Sequence, residues 1–247
     1  MRCIFVSDLH LSAERPQQVQ LFIQLLSKLG AQSRLYILGD LFEIWLGDDD
    51  DTPPNPEIIS HLNQYSRNGG ELFVMRGNRD FLYGDSFVAA THATLLEDYS
   101  VDTFGENKVL LTHGDLLCTK DVKYQAFRQF VRDEKNQAEF LSHSLPERRL
   151  IAQQTQTGTK ASMLEKDDFI MDVEQKTVEE TMRQYKVPIL IHGHTHRAAD
   201  HVFEIEGARY TRMVLGDWYD KDSIISWQDG QFQRTTAQAL VAEIANG

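Results

Sequence analysis

Cysteine is scarce. Cys3 and Cys118 are the two in a chain of 247 residues. A pair so placed offers no spaced framework, so both read as free thiols of a reducing compartment. Long apolar runs are missing too: none reaches the roughly 18 residues that a membrane span needs. The short apolar run in "MRCIFVSDLHL" has neither the length nor the cleavage site of a signal peptide. A cytoplasmic protein is expected, with attachment to a membrane surface left open. Positive charge is in deficit, with 25 Lys and Arg against 37 Asp and Glu and a net charge of −12. Duplex nucleic acid is therefore a poor partner. Any chemistry on phosphates must draw on a local positive source, either metal ions or a cluster of Arg and Lys. Internal repeats and low-complexity linkers are absent, and the length suits one α/β domain, 1–247, with or without a subdomain.

What is present is a rhythm of short β-rich runs and helical segments. "RCIFVS" ends at "DLH", and "RPQQVQLFIQLLSKLG" follows with Leu21, Leu25 and Leu29 on one helical face, Pro16 in its first turn and Gly30 as its stop. "RLYIL" ends in "GDLFE" and leads to a polar turn, "DDDDTPPNP", whose carboxylates are expected to face solvent. "EIISHLNQYSRNGG" reads as a second helix, "ELFVM" as a third strand, and "NKVLLTHGD" and "VPILIHGHTH" as two more. The tail from His201 to Gln233 alternates and carries glycine turns, as antiparallel strands do. Together these predict an α/β sandwich of mixed sheets. The segment of about 120–185 interrupts the rhythm with helical pattern throughout and reads as an inserted helical cap.

Strand ends carry the chemistry. Asp8 and His10 follow the first strand, Asp40 the second, Asn78 the third, His113 the next, and His194 and His196 the last of the series. In open α/β sheets ligands bind beyond the carboxyl ends of strands, so these residues could converge. Oxygen and imidazole donors without thiolate suit Mn, Fe, Co, Ni or Zn. The set is too large for one ion with an open position and suits two ions sharing a carboxylate. Singly each signal is weak: D-x-H is common by chance, Asp40 could merely cap a turn, and a lone buried His is more often core. The ordered set, each member after a strand, is specific.

That set resembles the calcineurin-like metallophosphoesterase family, whose pattern is D-x-H, G-D, G-N-H/R-D/E, a strand-end His and G-H-x-H. The resemblance runs from Asp8 to His196 and implies a four-layer αββα sandwich of two mixed β-sheets. It also implies one metal on Asp8, His10, Asp40 and His196 and another on Asp40, Asn78, His113 and His194, with Asp40 bridging. His192 has no ligand role in the pattern; alternation along its strand turns it the same way as His194.

Arg79 narrows the reaction. Many members of the family carry His after the Asn, where it can protonate a poor leaving group. Arginine cannot, but a phosphate leaving group needs no proton, and a guanidinium offers it permanent bidentate contacts. "GNRD" thus favours pyrophosphate over monoester cleavage; the alternative is an ion pair between Arg79 and Asp80.

"FVSDLHLS", "LGDLFEIWLGDD", "GNRDFL", "LTHGDLLCTKD", "FIMDV", "ILIHGHTHRAADH" and "VLGDWY" are similar to the UDP-2,3-diacylglucosamine hydrolase family of Gram-negative lipid A synthesis. This resemblance implies hydrolysis of UDP-2,3-diacylglucosamine with two Mn²⁺, attack at the α-phosphorus, and release of UMP and 2,3-diacylglucosamine 1-phosphate (lipid X). Asp40, Asn78, Arg79, His113 and His194 would be catalytic. It implies peripheral attachment to the cytoplasmic side of the inner membrane, and substrate contacts from Asn78, Arg79, Asp121, Thr159, Lys166 and His194. Thr159 replaces the usual Ser, and Met163 stands where the family has Asn. In "VKYQAFRQFVRDE", Tyr124, Phe127 and Val131 form a stripe with Phe130 nearby, suited either to lining an acyl-chain chamber or to plain packing. Lys123, Arg128 and Arg132 suit either lipid headgroups or a solvated face. Two other readings are a metallophosphoesterase for soluble nucleotides or phosphodiesters, and a non-catalytic scaffold of the same fold. Intact ligands argue against the second.

Overall fold

The computed structural model describes residues 1–163, 172–219 and 222–246, without the side chains of 156–163 and Asn246. Alternation decides the layers. Along β1 (Arg2–Val6), Cys3 and Phe5 turn to one side while Ile4 and Val6 turn to the other, and both sets are buried. A strand buried on both faces must lie between two covering layers. β1 sits inside a six-stranded sheet of order β11-β10-β1-β2-β3-β4. Here β2 is Ser33–Leu38, β3 Glu71–Met75, β4 Thr94–Leu96, β10 Ser223–Gln228 and β11 Gln231–Thr236. β1 to β4 run parallel, and β10 joins β1 antiparallel. A five-stranded sheet, β5-β6-β7-β9-β8, faces it. It contains β5 (Ser100–Phe104), β6 (Asn107–Leu111), β7 (Ile189–His192), β8 (Ala199–Ile205) and β9 (Ala208–Val214). Its inner strands β6, β7 and β9 are parallel, and both edges are antiparallel.

Aromatic residues fill the space between the sheets. Phe5 stacks on Tyr36 at 4.9 Å and meets Phe104 edge-on at 5.1 Å, and Tyr36 stacks on Phe73 at 4.6 Å. The outer face of the first sheet is covered by α1 (Pro16–Lys28), α2 (Asn55–Arg67), α3 (Asp85–Thr91) and α8 (Ala237–Asn246). α7 (Gln175–Tyr185) covers the second through Val178 and Met182, packed on Leu110 and Leu190. The four-layer αββα sandwich of two mixed sheets follows. α1 begins at Pro16 as expected, but its buried stripe is Val19, Phe22, Leu25 and Leu26, with Leu21 at the margin; it stops at an extended Leu29, not at Gly30. The tail forms two antiparallel hairpins, but they go to different sheets, β8–β9 to the second and β10–β11 to the first.

Three helices, α4 (Val122–Arg132), α5 (Glu134–Ser142) and α6 (Leu145–Met163), lie over the loops after β2 and β3. Charged contacts fasten them. Arg128 is buried and binds Asp115 at 2.7 Å and Asp98 at 2.8 Å, and Arg132 donates to the carbonyl of Gly77 at 2.8 Å. Neither side chain is a headgroup contact or a solvated one, because each is consumed in tying α4 down. At the other end Asp49 and Asp51 of the "DDDD" turn are exposed as expected, but Asp48 and Asp50 are not. Asp48 accepts from the N–H groups of Gly84 and Phe87, and buried Asp50 accepts from Leu46, Thr52 and Asn55. Arg148 of α6 grips Asp49 and the Leu46 carbonyl, and Arg149 binds Asp51 at 2.6 Å. The turn is thus the anchor of α6. No described helix is long and apolar enough to cross a membrane.

Phe104→Ala removes a fully buried ring from the inter-sheet cluster. A loss of about 3–5 kcal/mol is expected, read as a lower urea midpoint with an unchanged denaturant slope.

Candidate metal centre

The ends of β1, β2 and β7, three of the five that carry ligand-type residues, turn sharply. Asp8, His10, Asp40, His194 and His196 all hold positive φ, at 55°, 46°, 54°, 66° and 58°. Asp and His tolerate this conformation better than most residues, yet each instance costs about 1–2 kcal/mol. Backbone hydrogen bonds between the loops hold them there. Asp8 N–H donates to the Gly39 carbonyl, His10 N–H to that of Asp40, Gly193 N–H to that of His113, and Trp218 N–H to that of Asp8.

The side chains converge. Asp8 Oδ1 lies 3.3 Å from His196 Nε2 and 4.0 Å from His10 Nε2. His10 Nε2 lies 3.8 Å from Asp40 Oδ2, and His113 Nε2 3.9 Å from Asp40 Oδ1. Asn78 Oδ1 sits 2.9 Å from both His113 Nε2 and His194 Nδ1. Asp8, His10 and His196 offer ligand atoms close enough for one ion, and Asp8, Asp40 and His113 do the same for another. Asp8 therefore stands in both groups, beside the expected bridge Asp40. His192 is buried and stays out of the cluster; its ring bonds the Gly193 carbonyl at 2.8 Å.

The cluster fits a cation. Asp8 Oδ1 is buried without a hydrogen-bond partner, a costly condition unless something else binds it. His113 directs Nδ1 at the Leu38 carbonyl, 2.8 Å away, which leaves the lone pair of Nε2 toward Asn78 and Asp40. Burial lowers His10 to about 3 and His194 to about 4, so both rings are neutral donors of a lone pair near pH 7. Burial also lifts Asp40 to about 7, helped by the charges of Asp80 and Asp8. At His196 burial is outweighed by the adjoining carboxylates of Asp217 and Asp8, and the ring rises to about 10. The pocket thus crowds negative charge away from water and favours positive charge within it.

Two carboxylates support this arrangement in roles that the motif reading did not assign. Asp80 does not pair with Arg79. It is fully buried and accepts from the N–H groups of Asp40 at 3.1 Å, Leu41 at 2.7 Å and Gly77 at 2.8 Å, and from Tyr83 OH at 2.5 Å. It binds the loop after β2 to the loop after β3. Arg79 is left with its guanidinium 3.9 Å from Glu43, at the mouth of the cluster. Asp217 sits 3.3 Å from His196 Nδ1 and orients that ring. A signal for it existed: Leu-Gly-Asp occurs after β2 at 38–40 and again after β9 at 215–217.

A cavity adjoins the centre. Asn78 and Arg79 line it together with Trp45, Phe81, Tyr124, Phe127, Phe130 and Val131. The stripe on α4 therefore faces a void of about 1160 Å³, mouth included, not a packed interior. Asp121 caps α4, accepting from Tyr124 N–H at 3.0 Å. The side chains of Thr159 and Met163, and the whole of Lys166, lie outside the described residues.

A Cβ on Gly77 would collide with the Asp40 carboxylate and its backbone nitrogen. Gly77→Ala is expected to weaken divalent-metal binding about 10–100-fold by calorimetry, with an unchanged far-UV spectrum. Gly30→Ala meets nothing within 4 Å and should bind as the wild type does.

The calcineurin-like phosphoesterase family matches residues 1–198. A UDP-2,3-diacylglucosamine hydrolase of Aromatoleum aromaticum is 41% identical over 92% of this chain and 93% of its own length. One of Aeromonas hydrophila is 40% identical over 98% of this chain and all of its own. One of Chromohalobacter salexigens is 42% identical over 88% and 89%. The chain belongs to the calcineurin-like phosphoesterase family, among its UDP-2,3-diacylglucosamine hydrolases.

Proposed function

We propose that the protein hydrolyses the pyrophosphate of UDP-2,3-diacylglucosamine, giving UMP and 2,3-diacylglucosamine 1-phosphate, with two Mn²⁺ per subunit. The observation that carries this is continuity: Asn78, which touches His113 and His194 of the cluster, and Arg79 also line the cavity whose walls are otherwise largely apolar. A substrate with phosphates at one point and hydrocarbon beyond it matches that gradient. The names of the relatives point to the same compound.

Asp8, His10, Asp40 and His196 would hold one ion, and Asp40, Asn78, His113 and His194 the other; Asp8 lies close to both groups. Bound there, the ions supply Lewis-acid charge and a nucleophilic water at neutral pH. The remaining steps belong to the chain. Arg79, free of Asp80, neutralises charge on the pyrophosphate oxygens. Water attacks the α-phosphorus in line, the bond to the bridging oxygen breaks, and the sugar 1-phosphate leaves without a proton. Tyr124, whose ring lies 5.7 Å from that of His194, is a further wall against bulk water. Asp121, Thr159 and Lys166 are proposed substrate contacts, although the Asp121 carboxylate also serves as the cap of α4.

Exposed apolar side chains on the helices over the cavity support peripheral attachment to the cytoplasmic face of the inner membrane. Val122 is 72% exposed, Phe130 62% and Leu150 56%. Phe130 also lines the cavity, so a bilayer meeting this surface would lie near it.

Incubation with Mn²⁺ and the lipid nucleotide should yield UMP and the sugar phosphate in equal amounts. Turnover of soluble dinucleotides with none of the lipid would refute the assignment. Arg79→Ala should lower kcat on the order of 10²-fold while calorimetry shows Mn²⁺ binding retained.

A further inference from the structure

Away from the metal centre, β9 buries a cation. Arg212 is 8% exposed, and its Nε has no hydrogen-bond partner. Register explains its position: it stands opposite His201 of β8 and Leu190 of β7. Leu190 belongs to the outer apolar cluster of the second sheet, so Arg212 shares that outer face. Its Nη1 donates to His192 Nε2 at 3.3 Å, and His192 in turn gives its Nδ1 proton to the Gly193 carbonyl at 2.8 Å. A ring that accepts at one nitrogen and donates at the other is neutral, so this contact leaves the guanidinium charge unbalanced. Among the described residues no carboxylate lies within ion-pair distance of Arg212. A buried guanidinium without an anion is destabilising.

The space beside it has the composition of an anion site. A cavity of about 250 Å³ is lined by Asp172, Thr195, Arg197, His201 and Arg212, and the Asp172 carboxylate, beyond ion-pair distance, acts on Arg212 across it. Asp172 is engaged by Arg197 at 2.6 Å. Thr195 Oγ1 is buried and without a hydrogen-bond partner. Two orphaned polar groups, one a cationic donor and one a hydroxyl, thus stand in the wall of one cavity.

We propose that this cavity is a second site, separate from the metal centre, for a small tetrahedral oxoanion such as inorganic phosphate or a phosphate monoester. Arg212 supplies the charge and Thr195 a hydroxyl donor. Thr195 lies between His194 and His196, so the site shares a loop with the metal centre.

The test uses thermal unfolding and calorimetry with inorganic phosphate on the full chain, after removal of metal with a chelator so that the metal centre does not compete. Millimolar phosphate should raise the wild-type midpoint by roughly 2–4 °C. Arg212→Met should abolish that rise without lowering the midpoint in phosphate-free buffer, because the buried charge has lost its cost. Thr195→Val should weaken phosphate binding about tenfold, and Arg79→Ala should leave it unchanged. An equal rise in the wild type and Arg212→Met, or no rise in the wild type, overturns the proposal. If Arg212→Met unfolds, an unaltered affinity in Thr195→Val overturns it instead.

Discussion

The carboxylate of Asp80 is the interaction on which the centre rests. The turns after β2 and β3 leave a set of N–H groups with no strand to pair with, in a place closed to water. One buried anion satisfies them together and draws Asp40 and Asn78 onto a common frame. Hydrogen bonds to a charged acceptor are worth about twice neutral ones, which helps to offset the left-handed backbone at Asp40. The charge has a second effect. It raises the cost of ionising Asp40 nearby, and so increases the demand for a cation between the carboxylates.

The sandwich behind that frame is a consequence of alternation. Strands apolar on both faces had to be sheathed on both sides, and the aromatic cluster between the sheets does this on the inside. Ligands then emerge where the parallel strands end, and the two sheets bring their ends to one edge. The helices over the cavity obey another rule. α4 and α6 are fastened by arginine forks to carboxylates and carbonyls, so the void beneath them does not have to be filled by packing.

Legibility in the sequence followed range. The strands, the strand-end ligand-type residues and the layered α/β class were readable because period-two patterning and a residue at a strand end are local. What α7 packs on was not, since an amphipathic helix does not say which sheet it covers. "DDDD" misled in part: Asp49 and Asp51 stay exposed beside Arg148 and Arg149, but Asp48 turns to the N–H groups of Gly84 and Phe87, 36 and 39 residues later, and Asp50 is buried. Asp80 misled for a similar reason: beside Arg79 in sequence, it looked like its ion-pair partner, whereas N–H donors of Asp40 and Leu41, about forty residues earlier, claim its carboxylate. Arg128 and Arg132 looked like surface charge because nothing local reveals Asp98, Asp115 or the Gly77 carbonyl.

The three tryptophans stand in three different regions. Trp45 is in the cavity wall, Trp218 follows Asp217 and donates its backbone N–H to the Asp8 carbonyl, and Trp227 packs against the inter-sheet cluster. The molecule therefore carries its own set of optical reporters. With single-tryptophan variants, occupation of the cavity, ordering of the metal loops and separation of the two sheets would each have a distinct fluorescence signature, without any added label.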